Sequence, residues 1–161
     1  MGREGGDEGT DGMILNGAAL LEAAPIKDML STKERLHGVS HGLSEAGYDI
    51  RIKQDLVLSR EYVPFSLASS LEEFQMPENL VGIVHDKSTW ARRGLSVFNT
   101  VLEPGWKGFL TLELVYHGAV PLLIPAGAGI AQVIFHQIAA PAAYGGKYQN
   151  QPDMPVEARE G

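Results

Sequence analysis

The chain reads as an all-β protein built on a single domain, and three features of its sequence carry that reading. From Gly47 onward, short runs rich in Val, Ile, Leu, Phe and Tyr follow one another: "YDIRI", "LVLS", "LVGIV", "LSVFNTV", "FLTLELVY", "VPLLI" and "AQVIFHQI". They recur about every eight to twelve residues, with Gly, Pro, Asn or charged residues between them, which is the spacing of a sandwich or barrel. The length of 161 residues, with 44% hydrophobic and 20% charged residues, suits one well-filled core and is short for two. Helical patterning is confined to the N-terminal end.

Taken in order, residues 1–12 ("MGREGGDEGTDG") are acidic and Gly-rich, and are expected to be a disordered extension. The domain then runs over 13–151. In "MILNGAALLEAAP", Asn16 is a plausible N-cap and Pro25 stops a short helix over Ala18–Ala23. A second short helix is expected around Ile26–Leu30, and Ser31–Ser44, which mixes charge, Gly and two His, reads as a loop. The segment "SLASSLEEFQMPENL" has a composition that allows a helix, but Pro77 and its short flanking gaps favour an extended run. Residues 152–161 ("PDMPVEAREG" begins here) read as a mobile tail.

Composition narrows the function. A net charge of −7 argues against a nucleic-acid polymer as partner, since such binders carry a basic footprint. No apolar run approaches the roughly 20 residues that cross a bilayer. The first residues lack an apolar leader segment, so a cytoplasmic protein is expected. There is no cysteine, which removes disulfides, thiolate metal sites and a cysteine nucleophile. The five His suggest no zinc site, and no GxxxxGK[ST] phosphate loop is present.

Two places carry chemistry. Glu113 stands in the middle of the strand "FLTLELVY". Side chains alternate faces along a strand, so Leu110, Leu112, Leu114 and Tyr116 share one face, and Phe109, Thr111, Glu113 and Val115 the other. If both faces are covered, Glu113 is desolvated and its carboxyl exchanges protons nearer neutral pH; if the second face is wet, Glu113 is a surface residue. The preceding "EPGWKG" is a turn with two Gly, of the kind that lets a backbone approach a ligand closely. The second place is "HDKSTWARRG", which sets Lys87, Arg92 and Arg93 around two adjacent hydroxyls and so offers donors for phosphate oxygens. A solvated loop with a positive face would look the same.

Together these pieces resemble the dCTP deaminase branch of the dUTPase superfamily. "AGYDI" (46–50) is similar to its first motif, "DKSTWARRGL" (86–95) to the deaminase form of the second, "EPGWKGFLTLEL" (103–114) to the third, "AGAGIAQVIF" (126–135) to the fourth and "KYQNQ" (147–151) to the C-terminal one. The resemblance implies a distorted jelly-roll β-barrel that assembles as a homotrimer with sites between subunits. It implies a zinc-independent hydrolytic deamination of dCTP to dUTP and ammonia, in nucleotide metabolism and dUTP biosynthesis. Glu113 falls on the glutamate that activates water for attack on cytosine C4, and Ser88 and Arg92 on the residues that position that water and the glutamate. Lys87, Ser88, Thr89, Lys147 and Gln151 correspond to triphosphate contacts, Tyr144 to a closing C-terminal segment, and Glu103 to the holder of the sugar 3′-hydroxyl. Thr111, Leu112 and Glu113 would line the base. Mg²⁺ is implied as a companion of the triphosphate, held through the nucleotide and not by the protein.

The chain departs from the family pattern at four places. Asn99 and Thr100 stand where Ala and then His or Gly are usual, Glu103 replaces Asp, Lys87 replaces Arg, and the tail after Gln151 lacks the usual continuation. Asn99 bears most on the substrate, because its position lies beside the cytosine. Two other readings stay open: a dUTP diphosphatase, alone or combined with deamination through Glu103, and a non-catalytic nucleotide-binding barrel.

Overall fold

A computed structural model describes residues 13–161; the extension expected over 1–12 lies outside the described residues. Twelve strands and two short helices follow one another in the described chain. Strand β1 (Ile14–Leu15) leads into helix α1 (Gly17–Ala23), whose position matches the expected one. The hairpin strands β2 (Lys33–Leu36) and β3 (Val39–Leu43) come next, then β4 (Tyr48–Arg51), β5 (Leu56–Leu58), β6 (Phe65–Gln75) and β7 (Leu80–Asp86). Helix α2 (Ser88–Ala91) interrupts the strands before β8 (Leu95–Val97), β9 (Val101–Leu102), β10 (Lys107–Tyr116), β11 (Leu122–Ile124) and β12 (Gly129–Gln137).

The strands pair into three sheets. One has seven strands in the order β2-β3-β4-β12-β7-β9, with β1 also on β12; a second runs β6-β10-β8, and a third pairs β11 with β5. The described strands therefore face one another as separate sheets and do not close into one hydrogen-bonded ring. All the pairings within these sheets are antiparallel. The core lies between the sheets. Tyr48, Ile50, Val133 and Phe135 enter it from β4 and β12, and Leu112 and Leu114 from β10, all at 0–1% exposure. Each such fully buried side chain contributes roughly 1.5–3 kcal/mol of apolar transfer.

Three local expectations need correction. The segment Ser31–Ser44 is not a loop: it holds the β2–β3 hairpin, turned by His37 and Gly38 with φ of +54° and +76°. That two-residue turn is the kind whose twist suits a hairpin. No helix forms over Ile26–Leu30. Lys27 N–H instead donates to Glu73 O, Gln75 N–H donates to Pro25 O, and Ile26 bridges to Phe74, after which the chain turns at Lys27 and Asp28, the latter with φ of +52°. The run "LSVFNTV" is two strands in different sheets, β8 on β10 and β9 on β7, with Phe98–Thr100 crossing between them. "SLASSLEEFQ" is extended as expected, and forms most of β6.

Candidate active site

Strand β10 forms the floor of the site, and its register decides what faces the cavity. A bulge interrupts its pairing with β6, since Phe109 opposes Glu73 but Thr111 already opposes Ser69. The extra residues are in β6, where Ser70–Glu72 oppose Leu110 alone; the Leu110 N–H donates to Ser70 Oγ at 2.9 Å and its side chain joins the cavity lining. Leu110 also packs against the core with Leu112 and Leu114, as alternation expects, so it is shared between core and cavity wall. Beyond the bulge, Leu112, Leu114 and Tyr116 are buried in the core, and Thr111 and Glu113 face a cavity of about 450 Å³.

That cavity collects six of the residues singled out in the sequence: Asn99, Glu103, Thr111, Glu113, Tyr144 and Gln151. Phe65 and Leu67 of β6, Trp106, Tyr148 and Val156 complete much of its wall. Glu113 is half-buried, no described side chain hydrogen-bonds its carboxyl, and burial alone pushes its carboxyl pKa upward. It lies between the two environments left open above, partly covered and facing the cavity. Asn99 sits beside it: its Oδ1 accepts from Glu113 N–H at 3.1 Å, and its Nδ2 donates to Thr111 O at 2.8 Å.

The C-terminal segment forms the opposite wall. Trp106 Nε1 donates to Tyr148 O at 2.6 Å, Phe109 N–H donates to Gln151 O at 3.1 Å, and Asn150 N–H donates to Lys107 O at 2.9 Å. Thr111 Oγ1 donates to Gln151 Oε1 at 3.1 Å and accepts from Val156 N–H at 3.0 Å. Gly108 admits this segment. With φ at +132°, a Cβ there would stand 2.5 Å from Gln151 N. The close approach foreseen at "EPGWKG" is thus made by the chain's own C-terminal backbone.

The remaining candidates lie elsewhere in the chain. Lys87 stands at the N-cap of α2, where Nζ contacts Asp49 Oδ2 at 2.6 Å and donates to Ser40 Oγ at 2.9 Å; its side chain is 11% exposed. Trp90 anchors α2 by donating from Nε1 to Gly129 O at 2.6 Å, while Ser88 and Arg92 are exposed. Ser88, Thr89 and Arg92 do not line the cavity with Glu113 in the single chain. Leu112 meets the site only through its backbone, since its side chain is in the core. Lys147 is exposed, with Nζ over the Tyr148 ring at 5.5 Å and donating to Arg159 O.

Sequence reasoning passed over Tyr148, although it belongs to the quoted "KYQNQ". It also passed over Phe65, Leu67 and Val156, which no local pattern marks. His37 and His41 stand at the HxxxH spacing that pairs ligands on a helix, but a hairpin carries them. There His37 Nε2 lies 3.2 Å from Ala126 O, and His41 is buried. Among the described residues, no three His, Asp or Glu converge as a metal site would require.

Comparison with known proteins agrees with this architecture. The family described as dCTP deaminase-like matches residues 49–138. The chain is 35% identical to a dCTP deaminase of Protochlamydia amoebophila, over 70% of this chain and 77% of that protein. It is 37% identical to one of Roseiflexus castenholzii, over 70% and 79%. Among solved structures, the dUTPase of EIAV superposes with a TM-score of 0.53 at 20% identity, covering 78% of this chain and 92% of that one. The 2′-deoxycytidine 5′-triphosphate deaminase of Agrobacterium tumefaciens gives 0.57 at 13% identity, covering 80% and 49%. Those two likenesses speak for the jelly-roll fold that these proteins share. By its family match and its curated relatives together, the chain belongs to the dCTP deaminase-like family.

Proposed function

We propose that the protein hydrolyses dCTP to dUTP and ammonia. The carrying observation is Glu113: a carboxylate in mid-strand, facing a cavity, with its pKa raised by burial alone. Such a group is matched to taking a proton near neutral pH and returning it. In this reading the Glu113 carboxylate removes a proton from water as the water oxygen bonds to cytosine C4. The tetrahedral centre then carries both the new hydroxyl and the amino group. As the oxygen bonds, the C4=N3 π pair moves onto N3, which takes that proton. The hydroxyl proton then passes through Glu113 to the amino nitrogen, the exocyclic C4–N bond breaks, and ammonia leaves as the C4 carbonyl forms. One water enters and one ammonia departs, and no electron is gained or lost.

Thr111 and the backbone of Leu112 would line the base, and Glu103, exposed at the rim, would hold the sugar. Tyr144, Lys147 and Gln151 belong to the segment that would close over the nucleotide, with the triphosphate bringing Mg²⁺ on its own oxygens. Ser88, Thr89 and Arg92 are assigned to the site of a neighbouring copy in a homotrimer. Two features support that assignment: their absence from this chain's own cavity wall, and the apolar side chains around the cavity. Phe65 and Val101 in its wall are 50% and 43% exposed, and Phe98, next to Asn99 in the chain, is 70% exposed. Lys87 would reach a phosphate only by leaving Asp49.

Because Glu103 shares the cavity with Glu113, dUTP hydrolysis is the second reading. Purified protein with Mg²⁺ is incubated separately with dCTP, dUTP and dCMP, and products are resolved by anion exchange. Conversion of dCTP to dUTP is the expected result. Release of dUMP from dUTP with dCTP untouched would transfer the chemistry to Glu103 and overturn the proposal.

A further inference from the structure

Strand β10 has two edges, and only one is paired along its whole catalytic stretch. On one side β6 runs beside it from Lys107 to Val115. On the other, β8 covers only Leu114 to Tyr116, because the chain leaves at Phe98 to reach the other sheet. The last main-chain bond on that side is Phe98 N–H to Glu113 O, at 2.7 Å. The next groups along the same edge are Glu113 N–H and Thr111 C=O. Without a partner they would open into the cavity as a bare donor and acceptor.

The Asn99 carboxamide fills both positions, accepting at 3.1 Å and donating at 2.8 Å. Its planar O=C–N–H reproduces the donor and acceptor of a peptide group, so the side chain continues the ladder where the backbone cannot. The pairing also dictates which way the amide points, since Oδ1 must meet the N–H and Nδ2 the carbonyl. As a result the peptide that carries Glu113 is held from both edges just where the strand would otherwise be loose.

We infer that Asn99 is a positioning residue. Its carboxamide stands in for a strand along the free edge of β10, and so holds the Glu113 backbone, and with it the Glu113 carboxyl, at the angle that proton transfer requires. The inference rests on the deaminase reading given above. It also predicts what is lost without the amide. A displacement of about 1 Å at a reacting group costs on the order of 10²-fold in rate, so Asn99→Ala should lower kcat by roughly 10- to 100-fold. KM for dCTP should change little, since the groups assigned to the sugar and phosphates are untouched.

The test compares wild type, Asn99→Ala and Asn99→Asp in the full chain, by dCTP turnover and by amide hydrogen exchange. In Asn99→Ala the Glu113 amide should exchange faster, while amides on the β6 edge keep their protection. Asn99→Asp retains an acceptor for Glu113 N–H but sets a carboxylate against Thr111 O. Its kcat should fall between the other two, and its acid limb should move to higher pH as the added charge holds the Glu113 proton. The other ionisable groups of the cavity wall, Glu103, Tyr144 and Tyr148, are common to all three proteins. Unchanged Glu113 exchange in Asn99→Ala overturns the inference, as does an unchanged kcat with a lowered KM, which would make the amide a plug in the base pocket. If the wild type does not deaminate dCTP, the deaminase reading fails, and the exchange comparison alone decides whether Asn99 holds the strand.

Discussion

Replacing Glu113 by Gln separates the chemistry of that residue from its place in the fold. The two side chains have nearly the same shape, and the change removes one ionisable group and adds one amide donor. In the structure the Glu113 carboxyl has no hydrogen-bonding side chain among the described residues, and the Asn99 contact goes to its backbone. No internal bond is therefore lost, and the cavity keeps its walls. A general acid/base contributes about 10²- to 10⁴-fold to rate, which corresponds to roughly 2.7–5.4 kcal/mol of barrier. Glu113→Gln should lose turnover by that factor while dCTP binding stays within a few-fold. Stability supplies an internal control. Burial raises the Glu113 pKa in the folded state, so between its ordinary and raised values the native protein binds more protons than the unfolded one. The contribution of the acid is fully present below its unfolded pKa and is lost as pH rises through the folded one. The Gln variant should thus match or exceed wild-type stability at pH 8, with the margin shrinking toward pH 4. The assay is steady-state conversion of dCTP to dUTP by anion exchange, beside calorimetric binding and urea melts at the two pH values. More than a tenth of wild-type turnover in the variant would refute the role of Glu113, and marked destabilisation at pH 8 would refute the account of its environment.

Three further outcomes follow from the same geometry. As a base, Glu113 works deprotonated, so kcat/KM for dCTP should fall as pH drops through an acid limb above the ordinary carboxylate range; a limb within that range in a pH–rate profile would contradict the burial effect. Lys87→Ala leaves Asp49, 3% exposed, without its ammonium partner, and should cost about 3–5 kcal/mol in urea denaturation, where a surface phosphate contact would cost well under 1 kcal/mol. Gly108→Ala forces the Gln151 backbone away, so exchange at the Phe109 amide should quicken and KM should rise several-fold, as read by mass-resolved hydrogen exchange and initial rates; unchanged exchange would mean that the C-terminal segment docks independently of this contact.

The legible parts of this protein are those in which nearby residues decide the outcome. The strand around Glu113 announces itself by its aliphatic and aromatic run, and alternation along it correctly separates Leu112 and Leu114 from Thr111 and Glu113. Helix α1 follows from an Ala- and Leu-rich turn that ends before Pro25, whereas Asn16 holds the N-cap position without capping, its side chain donating to Glu45 O. What escapes the sequence depends on distant partners. The β2 strand is exposed at all four residues, so it has no buried face to impose an alternating pattern, and only the turn at His37 and Gly38 marks it. The stretch Ile26–Leu30 has a helix-compatible composition, yet main-chain bonds tie Pro25 and Lys27 to the end of β6 and the chain turns at Asp28. The bulge of β6 opposite Leu110 is equally invisible locally, because Ser70, forty positions from Leu110, satisfies the Leu110 N–H.

The same distinction explains why the site was half-legible. Residue types reveal which groups can do chemistry, and Glu113, Glu103, Thr111 and Gln151 meet in one cavity. Where a side chain spends its hydrogen bonds is set by the fold. Lys87 illustrates this: among phosphate-like donors in the sequence it is a free cation, but in the chain its charge is matched by Asp49 of β4, a strand paired to β12. Asn99 illustrates the reverse. In the sequence it is a departure at a position expected beside the base, whereas in the fold its amide completes a strand edge beside Glu113. Both residues lie where the chain passes between sheets, on either side of β8, and such crossings leave polar groups that no ladder satisfies. A departure from a family pattern at a crossing of this kind is therefore read first against the unpaired backbone next to it, and only then against the substrate.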